Sequence, residues 1–389
     1  MAQSVLGGKK ITVVTHIFLT GPGDELVKYL TGLKADTLLI AHPFDYAAKA
    51  RSYFTRENRE GVVKKGESIL GKFPGAINYV KDFLTTVYFS VRFGRRDIFI
   101  GINNLNAASG ILLKKLGLVG RVVFYTIDYV PRRFENNVLN AIYHAMDRFA
   151  VKHADLVWNL SGRMVEAREK SGVDKKYREK QRTVPVGTED FAQTKNLAER
   201  DRYGIVYMGH LRKGQGVESI LAAFAIIKGR IPAARFHVYG TGPLEEELKS
   251  VCRKEHIDGN VLFHGAVASH KELLERISRH TVAVAPYADR PDNFTRYTDP
   301  GKVKAYLATA LPIVMTDVPE VGRVMEAKNC AVIAADNPES FADNIIRLLE
   351  DEGGLQEKIE ACRRTAKEYV WGKIFDDAFY PLFYDPKPL

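Results

Sequence analysis

The sequence predicts an α/β protein of two domains, each a parallel sheet covered by helices, and three observations carry that reading. Short apolar runs alternate with helical patterns along the whole chain. Glycine-rich turns follow strand-like runs at residues 20–24, 209–216 and 240–243. Residues 297–317, YTDPGKVKAYLATALPIVMTD, read as a helix with an anion-sized opening at its start, followed by a buried parallel strand. In that stretch Asp299 is the expected N-cap and Pro300 the first helical residue. The backbone N–H groups of Gly301 and Lys302 then point outward, where anions bind, and Lys302 adds a mobile positive charge.

In the front half, strands are expected over 11–16, 37–41, 97–102, 122–128, 156–161 and 183–187. Ligands in such sheets sit beyond the carboxyl ends of the strands, so the residues following each strand are the ones to search. After the first strand come Gly21 and Gly23, which let backbone approach a ligand closely or simply make a turn, and then a helix from about Glu25. Residues 45–96 are the least regular part and are rich in Lys, Arg, Tyr and Phe. An acceptor-specific or membrane-facing insertion belongs there. Its helical segment 80–92 gathers Val80, Phe83, Leu84, Val87 and Val91 on one face, expected to pack into the core. The strand at 97–102 runs into Asn103, Asn104 and Asn106, amides suited to sugar hydroxyls or to helix capping. Asp128, at the end of the strand over 122–128, is the candidate catalytic carboxylate, with a turn cap as the alternative. Arg132 and Arg133 are candidates for a phosphate or headgroup. His144 and His153 have no ligand-spaced partner and read as structural.

Residues 184–190 carry Gly187, which permits a hinge turn, and the boundary is placed near 190. The domains are therefore 1–190 and 191–370, with 371–389 as an aromatic, proline-ended tail. The second half opens with a strand at 205–208 and the loop Gly209-His210-Leu211-Arg212-Lys213-Gly214-Gln215-Gly216, three glycines and two cations ahead of a helix. Gly240 and Gly242 make a third tight turn. Further strands are expected at 261–264, 282–285, 313–316 and 331–334, with helices over 340–350 and 355–370.

The composition sets bounds on function. The 389 residues are 46% hydrophobic and 27% charged, enough for two full cores and unlike a fibrous or disordered chain. Cys252, Cys330 and Cys362 show no CxxC or Cys/His spacing, so no metal or disulfide framework is expected and a reducing, cytoplasmic setting is. No signal-peptide pattern opens the sequence, and no window nears the ~18 apolar residues of a membrane span. The formal net charge of +10 is carried by residues 1–190, where cations alternate with aromatics as in Arg51-Ser52-Tyr53-Phe54 and Arg92-Phe93. Such a face fits a solvated surface or the inner face of an anionic membrane; nucleic acid is not an expected partner.

The segment around Lys302 resembles the donor-side signature of the GT-B glycosyltransferases, in particular the retaining group called family 4 (glycosyl transferases group 1). The matching residues are Pro300, Lys302, Tyr306, Leu307, Ala308, Pro312, Ile313 and Val314. The loop at 209–216 is similar to the family's Gly-Arg-Leu-x-x-x-Lys-Gly cradle, with His210 and Gln215 at the Arg and Lys positions and Arg212 and Lys213 displaced. The turn at Gly240 matches its Gly-x-Gly-Pro. Where the family often has Glu-x7-Glu, this chain has Tyr297 and Ala305, with Asp292, Asn293 or Asp299 as substitutes. Ile127 stands where a His commonly precedes the strand-end Asp.

The resemblance implies two Rossmann-like domains with parallel sheets facing across a cleft, and a tail crossing back to the first. It implies transfer of a sugar from a nucleotide sugar to a glycan or lipid-linked acceptor, without cofactor or required metal. Gly209, His210, Arg212, Lys213, Gln215, Gly216, Gly240, Asn293, Asp299, Gly301, Lys302 and Tyr306 fall on its donor side. Gly21, Gly23, Asn103, Asn104 and Arg132 fall on its acceptor side, with Asp128 and Lys302 as catalytic candidates. A non-catalytic glycan-binding protein and a nucleotide-sugar epimerase are the alternatives.

Overall fold

The computed structural model describes residues 5–17, 21–44, 51–191, 193–291 and 293–384. Asp292, which figures in the sequence reading, and residues 20 and 45–50 of the stretches named there lie outside the described residues. The chain forms two compact units, one of Met1–Pro185 with Trp371–Leu389 and one of Val186–Val370.

The first unit holds eight strands: β1 (Lys10–His16), β2 (Asp36–His42), β3 (Tyr53–Asn58), β4 (Gly61–Glu67), β5 (Arg96–Ile102), β6 (Val119–Thr126), β7 (Leu156–Asn159) and β8 (Gln181–Thr183). Their order is β4-β3-β2-β1-β5-β6-β7-β8. The central strands are buried on both faces and parallel, which is why their sequences read as apolar runs rather than alternations. Strand order reverses between β1 and β5, so the opening beside their carboxyl ends is the place for a ligand. The parallel register of β1 with β2 sets His16 beside His42 at that end.

Three expectations for this unit are corrected. Residues 51–96 are not irregular, while 45–50 lie outside the described residues: β3 and β4 form an antiparallel hairpin on the sheet edge, followed by a long helix, Ala76–Arg92. That helix turns its apolar stripe outward, with Val80 60%, Leu84 61% and Val91 49% exposed. Its inward face is polar: Asn78, Lys81, Asp82, Thr85 and Thr86 are buried there, and Asn78, Lys81, Asp82 and Thr86 bond one another or the strand ends. The strand expected at 183–187 is Gln181–Thr183, since Val184 onward leaves the sheet, and β6 stops at Thr126, leaving Asp128 in the following turn.

A helix from the far end of the chain, Trp371–Tyr384, belongs to this first unit. Phe379 meets Trp158 edge-on with ring centroids 5.1 Å apart. Tyr29 contacts Phe375 and Phe379 and donates its hydroxyl hydrogen to Asp376 at 2.6 Å. Near β6 and β7 the fully buried Arg168 makes two bonds to the Asp147 carboxylate, at 2.8 and 2.9 Å. Arg168 also donates to Thr126 and Asn159 and lies over the rings of Phe124 and Tyr129.

The second unit is a six-stranded, all-parallel sheet: β9 (Gly204–Met208), β10 (Arg235–Tyr239), β11 (Val261–Gly265), β12 (Val282–Ala285), β13 (Ile313–Met315) and β14 (Ala331–Ile333). Its order is β11-β10-β9-β12-β13-β14, with the reversal between β9 and β12. Helices Val217–Arg230, Glu245–Lys254 and Pro338–Glu350 bury apolar stripes against it. One large apolar cluster fills this unit.

Candidate functional site

At the reversal point of the second sheet, three glycines take backbone conformations that a side chain would forbid. Gly209 has φ 142°, Gly240 φ 137° and Gly216 φ 73°. A Cβ at Gly240 would stand 2.0 Å from the carbonyl oxygen of Gly209, and one at Gly216 would stand 1.5 Å from that of Pro286. The loops after β9, β10 and β12 therefore touch backbone to backbone. Their contact closes a small cradle at the strands' carboxyl ends.

Lys302 reaches into that cradle from the start of helix Gly301–Ala308. A Cβ at Gly209 would lie 2.9 Å from Lys302 Nζ, which shows how near the ammonium comes to the loop. Nζ donates to Gln215 Oε1 at 2.9 Å and to the Tyr207 hydroxyl at 3.2 Å, and sits over the rings of Tyr207 and Tyr287. Both acceptors are neutral. Burial, and secondarily the charge of Arg212, pull the Lys302 pKa down to about 7. Among the described residues the site thus holds a partly buried cation without an anion, an arrangement suited to an anion such as phosphate.

Around it, the candidate residues divide by what they touch. Asn293 is buried and donates to the carbonyls of Gly214 and Ala288 while accepting from Thr295, so it fixes the shape of the glycine loop. Arg212 and Lys213 are exposed on the loop, with Arg212 over the Phe294 ring, and His210 contacts the Thr241 carbonyl. Two readings change. Asp299 does not cap the helix: Pro300 occupies the N-cap, and the Asp299 carboxylate is buried against Lys304 at 2.6 Å and the backbone N–H of Val186 at 2.7 Å. Tyr306 is fully buried and spends its hydroxyl on the Val284 carbonyl and the Met208 N–H, tying β9 to β12 rather than meeting a ligand.

In the first unit, Gly21 and Gly23 line a pocket with Thr15, His16, Asp24 and Tyr53. A Cβ at Gly23 would stand 2.8 Å from Ile102 Cδ1, a side-chain end that has to shift to admit it. Behind the pocket lies a cluster that the sequence reading missed. Asp82, fully buried, is 3.4 Å from His16 Nε2, 3.3 Å from His42 Nδ1 and 2.7 Å from Lys81 Nζ. Burial opposes its ionisation, but hydrogen bonds from His16, His42 and Lys81 win and hold its pKa far below the usual carboxylate value. The signal was present: Asn78, Lys81, Asp82, Thr85 and Thr86 share one helix face at three- and four-residue spacing.

The remaining acceptor-side candidates are dispersed. Asp128 is ion-paired with Arg133 at 2.7 Å. Asn103 begins the helix Asn104–Lys115 at φ 70° with no side-chain cap bond, and its Oδ1 is buried without a hydrogen-bond partner. Asn104 donates to the Tyr143 carbonyl, and Arg132 is exposed and bonds the Glu135 carbonyl. His144 contacts the Pro131 carbonyl at 2.6 Å.

Comparisons with known proteins agree with this geometry. Residues 202–351 match the family described as glycosyl transferases group 1. Over 402 aligned positions the chain is 20% identical to the UDP-N-acetylglucosamine–peptide N-acetylglucosaminyltransferase GtfA subunit of Streptococcus agalactiae, covering 95% of this chain and 76% of that protein. Sucrose-phosphate synthase of Thermosynechococcus elongatus superposes with TM-score 0.71 at 15% identity, over 97% of this chain and all of the other. HepE of Anabaena in complex with UDP gives TM-score 0.69 at 12% identity, over 96% and 99% of the two chains. Staphylococcus aureus TarM, in a complex containing UDP, gives 0.56 at 12% identity, over 86% and 74%. At these identities the structures establish a shared fold, GT-B.

Proposed function

This chain being a GT-B glycosyltransferase of group 1, we propose that it moves a sugar from a nucleotide-sugar donor to a glycan or lipid-linked acceptor in cell-envelope synthesis, with retention of anomeric configuration. The observation that carries the reading is the Lys302 ammonium held among Gly209, Tyr207 and Gln215 with no anionic partner among the described residues. When the bond between the anomeric carbon and the phosphate oxygen breaks, negative charge gathers on the departing diphosphate. Lys302 and the N–H groups opening its helix are placed to offset that charge without rearranging. Asp128, steered by Arg133, is the proposed acceptor-side carboxylate, and no cofactor or metal enters the reaction.

The names of the similar proteins put UDP-sugars first among donors. The test is release of nucleoside diphosphate by purified protein from UDP-, GDP-, ADP- and dTDP-sugars, wild type beside Lys302→Ala. Release from one donor that collapses in the variant supports the reading. Binding of a nucleotide with no turnover on any acceptor favours a non-catalytic binding protein, and acceptor-free conversion of the sugar favours an epimerase.

A peripheral position on an anionic membrane is part of the proposal. Ile77, Val80, Leu84, Tyr88 and Val91 form an exposed apolar ridge on helix Ala76–Arg92, within the half of the chain that carries the positive excess. Among the described residues no helix is long and apolar enough to cross a membrane. Cosedimentation with phosphatidylglycerol vesicles at low salt, reduced by Leu84→Glu, is the expected result. Equal sedimentation of the two proteins would remove the ridge from the account.

A further inference from the structure

The second unit buries a set of titratable side chains that sugar transfer does not use. His237 lies mid-strand in β10, Asp201 three residues before β9 begins, and His280 two residues before β12. These strands are neighbours in the sheet, in the order β10-β9-β12. Asp201, His237 and His280 each offer one ligand atom, and the three atoms lie within 4.8 Å of one another. Asp201 Oδ2 is 3.7 Å from His237 Nε2, and the two imidazole rings are 4.0 Å apart.

The remaining atoms of these side chains show what the open ones are for. His237 Nδ1 is 3.0 Å from His264 Nε2, and His280 Nε2 is 3.3 Å from the Tyr239 hydroxyl. Asp201 Oδ1 accepts from the Tyr203 N–H. His237 Nε2 and His280 Nδ1 are buried with no hydrogen-bond partner, and His280 is only 5% exposed. A neutral imidazole carries one N–H and one lone pair. With Nδ1–H of His237 given to His264 and Nε2–H of His280 given to the Tyr239 oxygen, two lone pairs and a carboxylate oxygen converge with no hydrogen between them. The two imidazole lone pairs are buried, and buried acceptors left in that state are costly; a cation relieves both while meeting the partly exposed carboxylate.

We propose that Asp201, His237 and His280 bind a divalent transition ion of the zinc class, with His264 and Tyr239 as the outer partners that fix the two tautomers. Two imidazole nitrogens and one carboxylate oxygen are a borderline donor set, suited to zinc rather than to magnesium or calcium. The Asp201 side chain is 35% exposed, which gives the ion an entry path and a fourth position for water. The site lies at the amino ends of β9 and β12, away from the Gly209 cradle at the carboxyl ends. Its role is to clamp three strands and the turn at Asp201. Arg200 and Arg279 add positive potential nearby and limit the affinity.

The experiment uses full-length, untagged protein stripped with EDTA and titrated with zinc chloride alone against a chromogenic chelator of micromolar affinity. The variants are His280→Ala, Asp201→Asn, His264→Ala and, as a thiol control, Cys330→Ser. Wild type is expected to take one zinc per chain and to melt at higher temperature with it. His280→Ala and Asp201→Asn should bind at least about tenfold more weakly, and His264→Ala about 10–100-fold more weakly, as an outer partner does. Asp201→Asn is partly exposed and close in shape, and its circular dichroism spectrum checks that loss of zinc is not loss of fold. Failure of the wild type to compete with the chelator overturns the proposal. So does binding that survives in Asp201→Asn and His280→Ala but disappears in Cys330→Ser.

Discussion

The Nζ of Lys302 lies 2.9 Å from Oε1 of Gln215, a cation held by an uncharged amide at the point where the family pattern places a second cation. Burial, which that uncharged amide does not offset, lets Lys302 titrate near neutrality. Its pKa of about 7 in the free protein must rise when a diphosphate arrives, because an adjacent anion favours the charged form.

Nucleoside diphosphate binding should therefore take up protons above pH 7. Affinity is expected to be flat below pH 7 and to weaken by up to about tenfold per unit above it. Calorimetry at pH 8 in buffers of different ionisation heat measures the uptake directly. Lys302→Met should abolish it and weaken binding about 10- to 100-fold, the range of one charge-assisted bond. No proton uptake in the wild type would contradict the depressed pKa.

Gly216→Ala should disrupt the second unit. The added methyl meets the Pro286 carbonyl oxygen at 1.5 Å, at a backbone φ of 73° that disfavours alanine. Nothing flexible stands in the way to move aside. Loss of nucleotide binding with a lower melting temperature is expected, and unchanged binding would mean that the loop is looser than drawn.

Asp82→Ala should cost about 3–5 kcal/mol, because it strands the buried ammonium of Lys81 beside two histidines. The folded pKa of Asp82 is below its unfolded value of 3.8, so its contribution is complete above about pH 4 and disappears as pH falls through the folded pKa. Urea unfolding at pH 7 and pH 3 should show a smaller pH dependence in the variant. Equal slopes in the two proteins would remove Asp82 as a source of acid sensitivity.

Arg168→Leu should also destabilise the first unit by several kcal/mol, since the Asp147 carboxylate is left buried without its partner. The double variant Arg168→Leu with Asp147→Leu should recover part of that loss. Thermal melts of the four proteins in the cycle decide it.

The legible parts of this chain were those whose chemistry is local. Gly209, Gly216 and Gly240 announce tight turns from their neighbours alone, and Lys302 follows a helix start that proline marks. Asp299 and Tyr306 misled because their partners, Lys304 with Val186 and Val284 with Met208, are matters of packing rather than of turn type. Helix Ala76–Arg92 reversed its expected face for a related reason. An apolar stripe goes inward by default, but here the opposite face meets His16, His42 and Ser52, whose hydrogen bonds only a polar face can complete. Asp201, His237 and His280 stand far apart in sequence, and only the sheet order brings them together.

The helix Trp371–Tyr384 gives the two units different histories during synthesis. Val186–Val370 is continuous and can close its core as soon as it clears the ribosome. The first unit, although translated earlier, must wait for Ile374, Phe375, Phe379 and Leu382, each worth about 1.5–3 kcal/mol of burial. That sum rivals the net stability of an ordinary domain, roughly 5–15 kcal/mol. The half of the chain that emerges first is thus the half that a premature stop codon near its end would leave unfinished, open to chaperones and proteases while the second unit is already complete.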